Sequence, residues 1–213
     1  MIKNIIFDFG DVFINLDKEA MNRALKELRI TSLSEGMRVN CIRYEVGAVS
    51  TKDFVRRFAD RYFSHFKSVE LEDKKAEFID IWNAILFDFP PHRLAFLKWL
   101  KQSGKYRLFL LSNTNELHIS WIQEDWGMEL YEEFKSHFEQ FYLSHEIGMR
   151  KPNANIYEFV LKENGLNADE TLFIDDTKAN TDAAAALGIQ VWNIDPAKED
   201  VSQLINMKEF NIQ

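Results

Sequence analysis

The stretch Ile2-Lys3-Asn4-Ile5-Ile6-Phe7-Asp8-Phe9 is a short run of branched and aromatic residues interrupted by an acid. A run of this length, too short for an ordinary helix, fits a strand buried on both faces. The same shape returns four times further on. Residues 106–111 are apolar and stop at Ser112-Asn113-Thr114-Asn115; residues 140–144 form a weaker run; residues 171–174 stop at Asp175-Asp176; residues 189–193 form the last. Helix-like stretches lie between them. Residues 92–102 precede Gly104, residues 153–163 lie between Pro152 and Gly165, and residues 179–187 end at Gly188, a good helix stop. Strands alternating with helices predict an α/β fold, a doubly wound parallel sheet covered on both faces.

Residues 17–89 break that rhythm. They hold no good strand run and are expected to form amphipathic helices, among them 18–28, 51–63 and 73–86. Pro90-Pro91 closes the segment, because helix continuation is disfavoured there. The expected organisation is a core of residues 1–16 and 90–213 with an α-helical insert at 17–89.

Composition narrows the function classes. With 26 Lys and Arg against 34 Asp and Glu, the net charge is −8, which argues against a nucleic-acid partner and an anionic membrane surface. The N-terminal apolar run is too short for a signal peptide or a span, so a cytoplasmic protein is expected. The lone cysteine, Cys41, has no partner for an intrachain disulfide and no zinc-ligand spacing around it. A monomer is the favoured state.

In open parallel sheets, ligands bind beyond the carboxyl ends of the strands. Those ends carry Asp8, Ser112-Asn113 and Asp175-Asp176, and the third strand leads into Gly148-Met149-Arg150-Lys151-Pro152. Three carboxylates at one edge repel unless a cation sits among them. Clustered oxygens suit Mg²⁺, which takes a few carboxylate ligands together with substrate phosphate. Ser112, Asn113 and Lys151 are placed to hold phosphoryl oxygens. Taken singly, each of these residues reads as a turn or a cap; their joint occurrence at strand ends is the signal.

Together, Phe7-Asp8-Phe9-Gly10-Asp11-Val12, Leu110-Leu111-Ser112-Asn113-Thr114, Gly148-Met149-Arg150-Lys151-Pro152 and Phe173-Ile174-Asp175-Asp176 resemble the four motifs of the haloacid dehalogenase-like hydrolases. Within that family, Ser-Asn-Thr-Asn and Gly-Met-Arg-Lys-Pro are similar to the α-D-glucose-1-phosphate phosphatase type. The resemblance implies a Mg²⁺-dependent phosphohydrolase acting on small phosphate monoesters, a sugar 1-phosphate among the candidates, with a small helical cap over the core. It implies Asp8 as nucleophile and metal ligand, with Lys151 a catalytic and phosphate-binding partner. Ser112 and Asn113 would bind substrate, and the Gly10 carbonyl, Asp175 and Asp176 would complete the metal site.

One position departs from the pattern. Phosphatases of this family carry an acid–base Asp two residues after the nucleophile, where this chain has Gly10, with Asp11 one step later. Three explanations stay open: Asp11 swings in, the substrate has a good leaving group, or the protein binds phosphate without turnover. A metal-independent haloacid dehalogenase and a regulatory phosphate binder are the alternatives to a phosphatase. Arg43, Tyr44, Glu45, Arg56, Arg57, Trp82 and Asn83 are the polar and aromatic residues of the insert that could read the leaving group. Of these, Arg56 and Arg57 read as a solvated face, and the histidines, His118 among them, as surface or helix-end residues.

Overall fold

All four residues of the first strand, β1 (Asn4–Phe7), are buried, as a central strand requires. The computed structural model describes residues 1–207 and residue 210. After β1 come four helices, α1 (Ala20–Glu27), α2 (Glu35–Glu45), α3 (Thr51–Tyr62) and α4 (Ser68–Asn83). The chain continues through α5 (Pro91–Gln102), β2 (Arg107–Ser112), α6 (Glu116–Trp126), α7 (Met128–Ser136), β3 (Gln140–Leu143) and α8 (Ser144–Ile147). It closes with α9 (Ala154–Asn164), β4 (Thr171–Asp175), α10 (Lys178–Ala185) and β5 (Gln190–Asn193), then a 3₁₀ turn at Val201–Asn206. The strands form one sheet in the order β3-β2-β1-β4-β5, with every pair parallel.

Period-2 alternation explains how the sheet is covered on both faces. Ile5 and Phe7, with Leu108, Leu110, Leu172 and Ile174, pack against Leu97, Ile122 and Phe134. Ile6, Phe109, Leu111 and Phe173 point the other way, against Ile156, Tyr157, Val160 and Ala184. Pro91 opens α5, a position that needs no backbone donor. The Asn115 side chain caps α6 by accepting from the His118 amide at 3.2 Å.

The helices of residues 17–89 build a separate apolar cluster from Leu25, Met37, Tyr44, Phe54, Phe58, Phe78 and Trp82. Among the described residues this stretch holds no strand, as expected. The two chain crossings run side by side: the Asn15 amide donates to Asp88 O (2.8 Å), the Asp17 amide to Ile85 O (2.8 Å) and the Phe87 amide to Asn15 O (3.1 Å).

The differences from the sequence reading lie at element ends and in two further helices. Helix α4 starts at Ser68 rather than 73, because the Glu70 carboxylate accepts from the Lys67 amide and closes an earlier first turn. Helices α6 and α7 were not anticipated. Leu117, Ile119, Trp121, Ile122 and Trp126 fall around much of α6 and blur its period. Strands β2 and β4 run one residue further than expected and so include Ser112 and Asp175.

Phe58 is buried and its ring stacks on Phe78 with centroids 3.6 Å apart. Phe58→Ala is expected to cost about 3–5 kcal/mol, read as a lowered midpoint in urea unfolding.

Candidate active site

Parallel pairing sets three strand ends level, with Phe7 opposite both Leu110 and Ile174. The residues that follow therefore converge on one edge. Asp8 follows β1, and its amide donates to Ile174 O at 2.9 Å. Asp175 ends β4, and Ser112 ends β2. Single oxygens of Asp8, Asp175 and Asp176 all lie within 4.8 Å of one another.

Lys151 reaches this edge from the loop after α8. Its ammonium lies 2.7 Å from Asp8 Oδ1 and 2.7 Å from Asp175 Oδ2, and the residue is only 1% exposed. Asn113 holds that loop in place: its Nδ2 donates to Lys151 O and its Oδ1 accepts from the Lys151 amide, both at 2.9 Å. Both ends of the Asn113 side chain are thus engaged in positioning Lys151, whereas the sequence reading set it beside the phosphate. Asp175 is equally engaged. Its Oδ1 accepts from the Thr177 amide (2.8 Å), and Asn180 Nδ2 lies 3.0 Å from each of its oxygens. Tyr157 in turn donates its hydroxyl to Asn180 O at 2.9 Å.

Burial raises the pKa of the Asp8 carboxyl; Lys151 pulls it back, and Asp175 pushes it up again, leaving it at about 7. The Lys151 ammonium is held above its ordinary value by Asp8 and Asp175, against the cost of its own burial. A carboxylate pushed up by burial and by like charge suits a site that receives a further cation.

Asp11 is not in extended backbone. Its φ is +55°, so the alternation that aims side chains along a strand does not apply to it. Its Oδ1 accepts from the Leu16 amide at 2.9 Å, and its Oδ2 lies 2.7 Å from the Lys18 ammonium. Lys18 also reaches Asp176 Oδ2 at 2.6 Å, tying the start of the helical insert to the site. Nothing local marks this contact, because Lys18 reads as an ordinary helix-start lysine. At Gly10 an added Cβ would lie 2.7 Å from Leu16 Cδ1, so Leu16 fills the space where the usual second Asp would start.

The residues of the insert separate by task. Tyr44 is buried, stacked on Phe54 at 4.2 Å, and its hydroxyl accepts from the Leu117 amide at 3.1 Å. Glu45 Oε2 accepts from Arg150 at 3.0 Å and 3.1 Å, linking α2 to the Lys151 loop. Gly47 is pressed against the core, where a Cβ would lie 2.1 Å from His145 O. Arg56 pairs with Asp53 and Asp60 on an exposed face, and Arg57 donates to Asn40 Oδ1 at 3.0 Å. Asn83 is buried in α4.

His118 stands in the first turn of α6, a helix end, but not on the free surface. It lies between insert and core, with Nε2 donating to Trp82 O (3.1 Å) and Nδ1 accepting from Asn115 Nδ2 (3.1 Å). Burial lowers its pKa to about 4, consistent with that neutral tautomer. A cavity of about 140 Å³, lined by Gly10, Leu16, Ile85, Ser112, Asn113 and His118 among others, opens over the strand ends. No helix among the described residues is long and apolar enough to cross a membrane.

The sequence model of the haloacid dehalogenase-like hydrolases matches residues 2–188. A D-ribitol-5-phosphate phosphatase of Bacteroides thetaiotaomicron is 27% identical over 197 residues, spanning 90% of this chain and 91% of the relative. A haloacid dehalogenase-family enzyme of Bacteroides thetaiotaomicron, crystallised with magnesium, is similar at TM-score 0.81 and 32% identity, over 97% of this chain and 99% of that one. A structure of that enzyme with magnesium and inorganic phosphate is similar at TM-score 0.79 and 31% identity, over 96% of this chain and 99% of that one. A HAD-like hydrolase of Porphyromonas gingivalis matches over the whole of both chains at TM-score 0.79 and 26% identity.

Removing Lys151 leaves Asp8 and Asp175 buried without their shared countercharge. Lys151→Met is expected to lose about 3–5 kcal/mol in urea unfolding with EDTA. Millimolar Mg²⁺ should restore part of that loss, since a bound cation replaces the missing charge and stabilises by mass action.

Proposed function

The chain belongs to the haloacid dehalogenase-like hydrolases and is a phosphatase with Mg²⁺ as its cofactor, and from that premise we infer that it hydrolyses small phosphate monoesters through an aspartyl-phosphate on Asp8. The observation that supports this most is the buried Lys151 ammonium, 2.7 Å from both Asp8 and Asp175, with Asp176 beside them. Asp8, Asp176 and the Gly10 carbonyl would hold the metal, with Asp175 beside it. The carboxylate oxygens of Asp8, Asp175 and Asp176 lie close enough to share one ion. When bound, the ion lowers the Asp8 pKa and neutralises phosphoryl charge.

The residues then divide the work. A carboxylate oxygen of Asp8 forms the new bond to phosphorus as the ester P–O bond breaks, and the leaving group departs as an oxyanion. Lys151 and the Ser112 hydroxyl hold the phosphoryl oxygens while charge is redistributed. Water then attacks phosphorus, frees Asp8 and releases inorganic phosphate. Residues 17–89 act as a cap over the core of residues 1–16 and 90–213, held there by Glu45–Arg150 and Lys18–Asp176.

Asp11 is not the acid in this reading. Both its oxygens are engaged as acceptors, by the Leu16 amide and by Lys18. Leaving groups that need no proton are therefore favoured; sugar 1-phosphates, acyl phosphates and aryl phosphates fit better than sugar 6-phosphates. Turnover, rather than phosphate binding alone, is favoured by the Lys151 ammonium 2.7 Å from Asp8, placed to balance charge as a phosphoryl group transfers.

Asp8→Asn should abolish turnover of phosphate esters while circular dichroism and the unfolding midpoint show a folded protein; substantial remaining turnover would place the nucleophile elsewhere. Asp176→Asn should weaken Mg²⁺ binding and activity together.

A series of esters of graded leaving-group pKa should show steep dependence in the wild type. Gly10→Asp needs room beside Leu16, so the double variant Gly10→Asp, Leu16→Ala should speed the poor substrates by up to roughly 10²–10⁴, the usual gain from a general acid. A flat series in the wild type that steepens in Asp11→Asn would instead make Asp11 the acid.

A further inference from the structure

Beside the small cavity over Gly10 and Ser112 lies a cleft of about 350 Å³ between insert and core. Glu45, Ile85 and His118 line both spaces, so the two are neighbours. The cleft is walled by Met21, Leu33, Cys41, Ile42 and Trp82. Ile42 is 46% exposed, although it is a large aliphatic side chain on a helix.

The polar groups of this space are mostly engaged. Both His118 nitrogens are used, by Trp82 O and by Asn115. Asn115 Oδ1 already accepts from Trp82 Nε1 at 3.2 Å and from the His118 amide. Lys18 is tied to Asp11 and Asp176, and Glu45 Oε2 to Arg150. Arg38 is exposed at the mouth, its Nε donating to Leu33 O. A polyol entering here would give up water at several hydroxyls and find few groups to replace it, an unfavourable exchange. A hydrocarbon body would instead bury against side chains of its own kind.

We propose that the leaving group is a hydrocarbon-rich alcohol, aromatic at the ester oxygen, and that Met21, Ile42, Trp82 and Ile85 select it. The inference rests on the phosphatase reading. That reading has no Asp at position 10, and Asp11 is engaged by the Leu16 amide and Lys18, so an aryl oxygen, which leaves without a proton, meets this second requirement. Chemistry at phosphorus and selection in the cleft are separate properties and can be measured separately.

The test uses the full chain with Mg²⁺ and a series of phenyl, 4-ethylphenyl and 4-butylphenyl phosphates, whose leaving groups have nearly equal pKa values but differ in apolar length. D-ribitol 5-phosphate and α-D-glucose 1-phosphate complete the set. The expected result is a kcat/KM that rises roughly threefold to fourfold per methylene until the cleft is filled, as burial of apolar surface requires. Both polyol-type esters should fall below phenyl phosphate. In Ile42→Asn, an exposed position that does not threaten the fold, the gain from phenyl to 4-butylphenyl should shrink at least tenfold. A flat or falling series, or a preference for D-ribitol 5-phosphate over 4-butylphenyl phosphate, overturns the apolar assignment and leaves the phosphatase reading standing. No Mg²⁺-dependent turnover of any member overturns both.

Discussion

The structure is organised around one buried cation. Lys151 is almost inaccessible and lies between Asp8 and Asp175, so two carboxylates that would otherwise repel share one ammonium. Burying charges is costly, and the cost is met only when each is paired and its remaining bonding capacity is filled. That requirement explains the surroundings. Asn113 fixes the Lys151 backbone, Asn180 and the Thr177 amide fill the Asp175 oxygens, and Tyr157 holds Asn180. The result is a rigid edge at which Asp8 keeps one oxygen against Lys151 and Asp176 stands alongside.

The helical insert is fastened to this edge through charge as well as packing. Lys18 links its start to Asp176, and Glu45 links α2 to Arg150, the residue before Lys151. The close approach of Gly47 to His145 O permits no side chain and brings α2 down onto the core. Trp82 and His118 stack with centroids 5.5 Å apart and seal the contact. Lys18, Glu45, Trp82 and His118, which fasten the insert, also line the cleft between insert and core.

Much of this was legible in the chain. The apolar runs ending in Asp8, Ser112 and Asp175 give away the parallel sheet, because a central strand must be apolar on both faces. The Asp8, Ser112, Lys151 and Asp175-Asp176 set could be named because each follows or ends such a run. Asn113 was placed at this edge, but that its side chain holds the Lys151 backbone was not legible, since the direction of an amide depends on a loop 38 residues away. His118 does stand at a helix end, as read, but nothing local marks a histidine whose partner is Trp82 O, 36 residues earlier.

Sequence by itself determined the sheet, the helical character of residues 17–89, the acidic cluster and the absence of an Asp at position 10. These follow from short-range periodicity and from residue type. Only the tertiary structure decided what Asp11 does, that Leu16 occupies the space beside Gly10, that Lys18 reaches Asp176, and that the cleft beyond the site is apolar. Each of those depends on a positive φ or on contacts between side chains brought together by folding, and neither leaves a periodic trace in the chain.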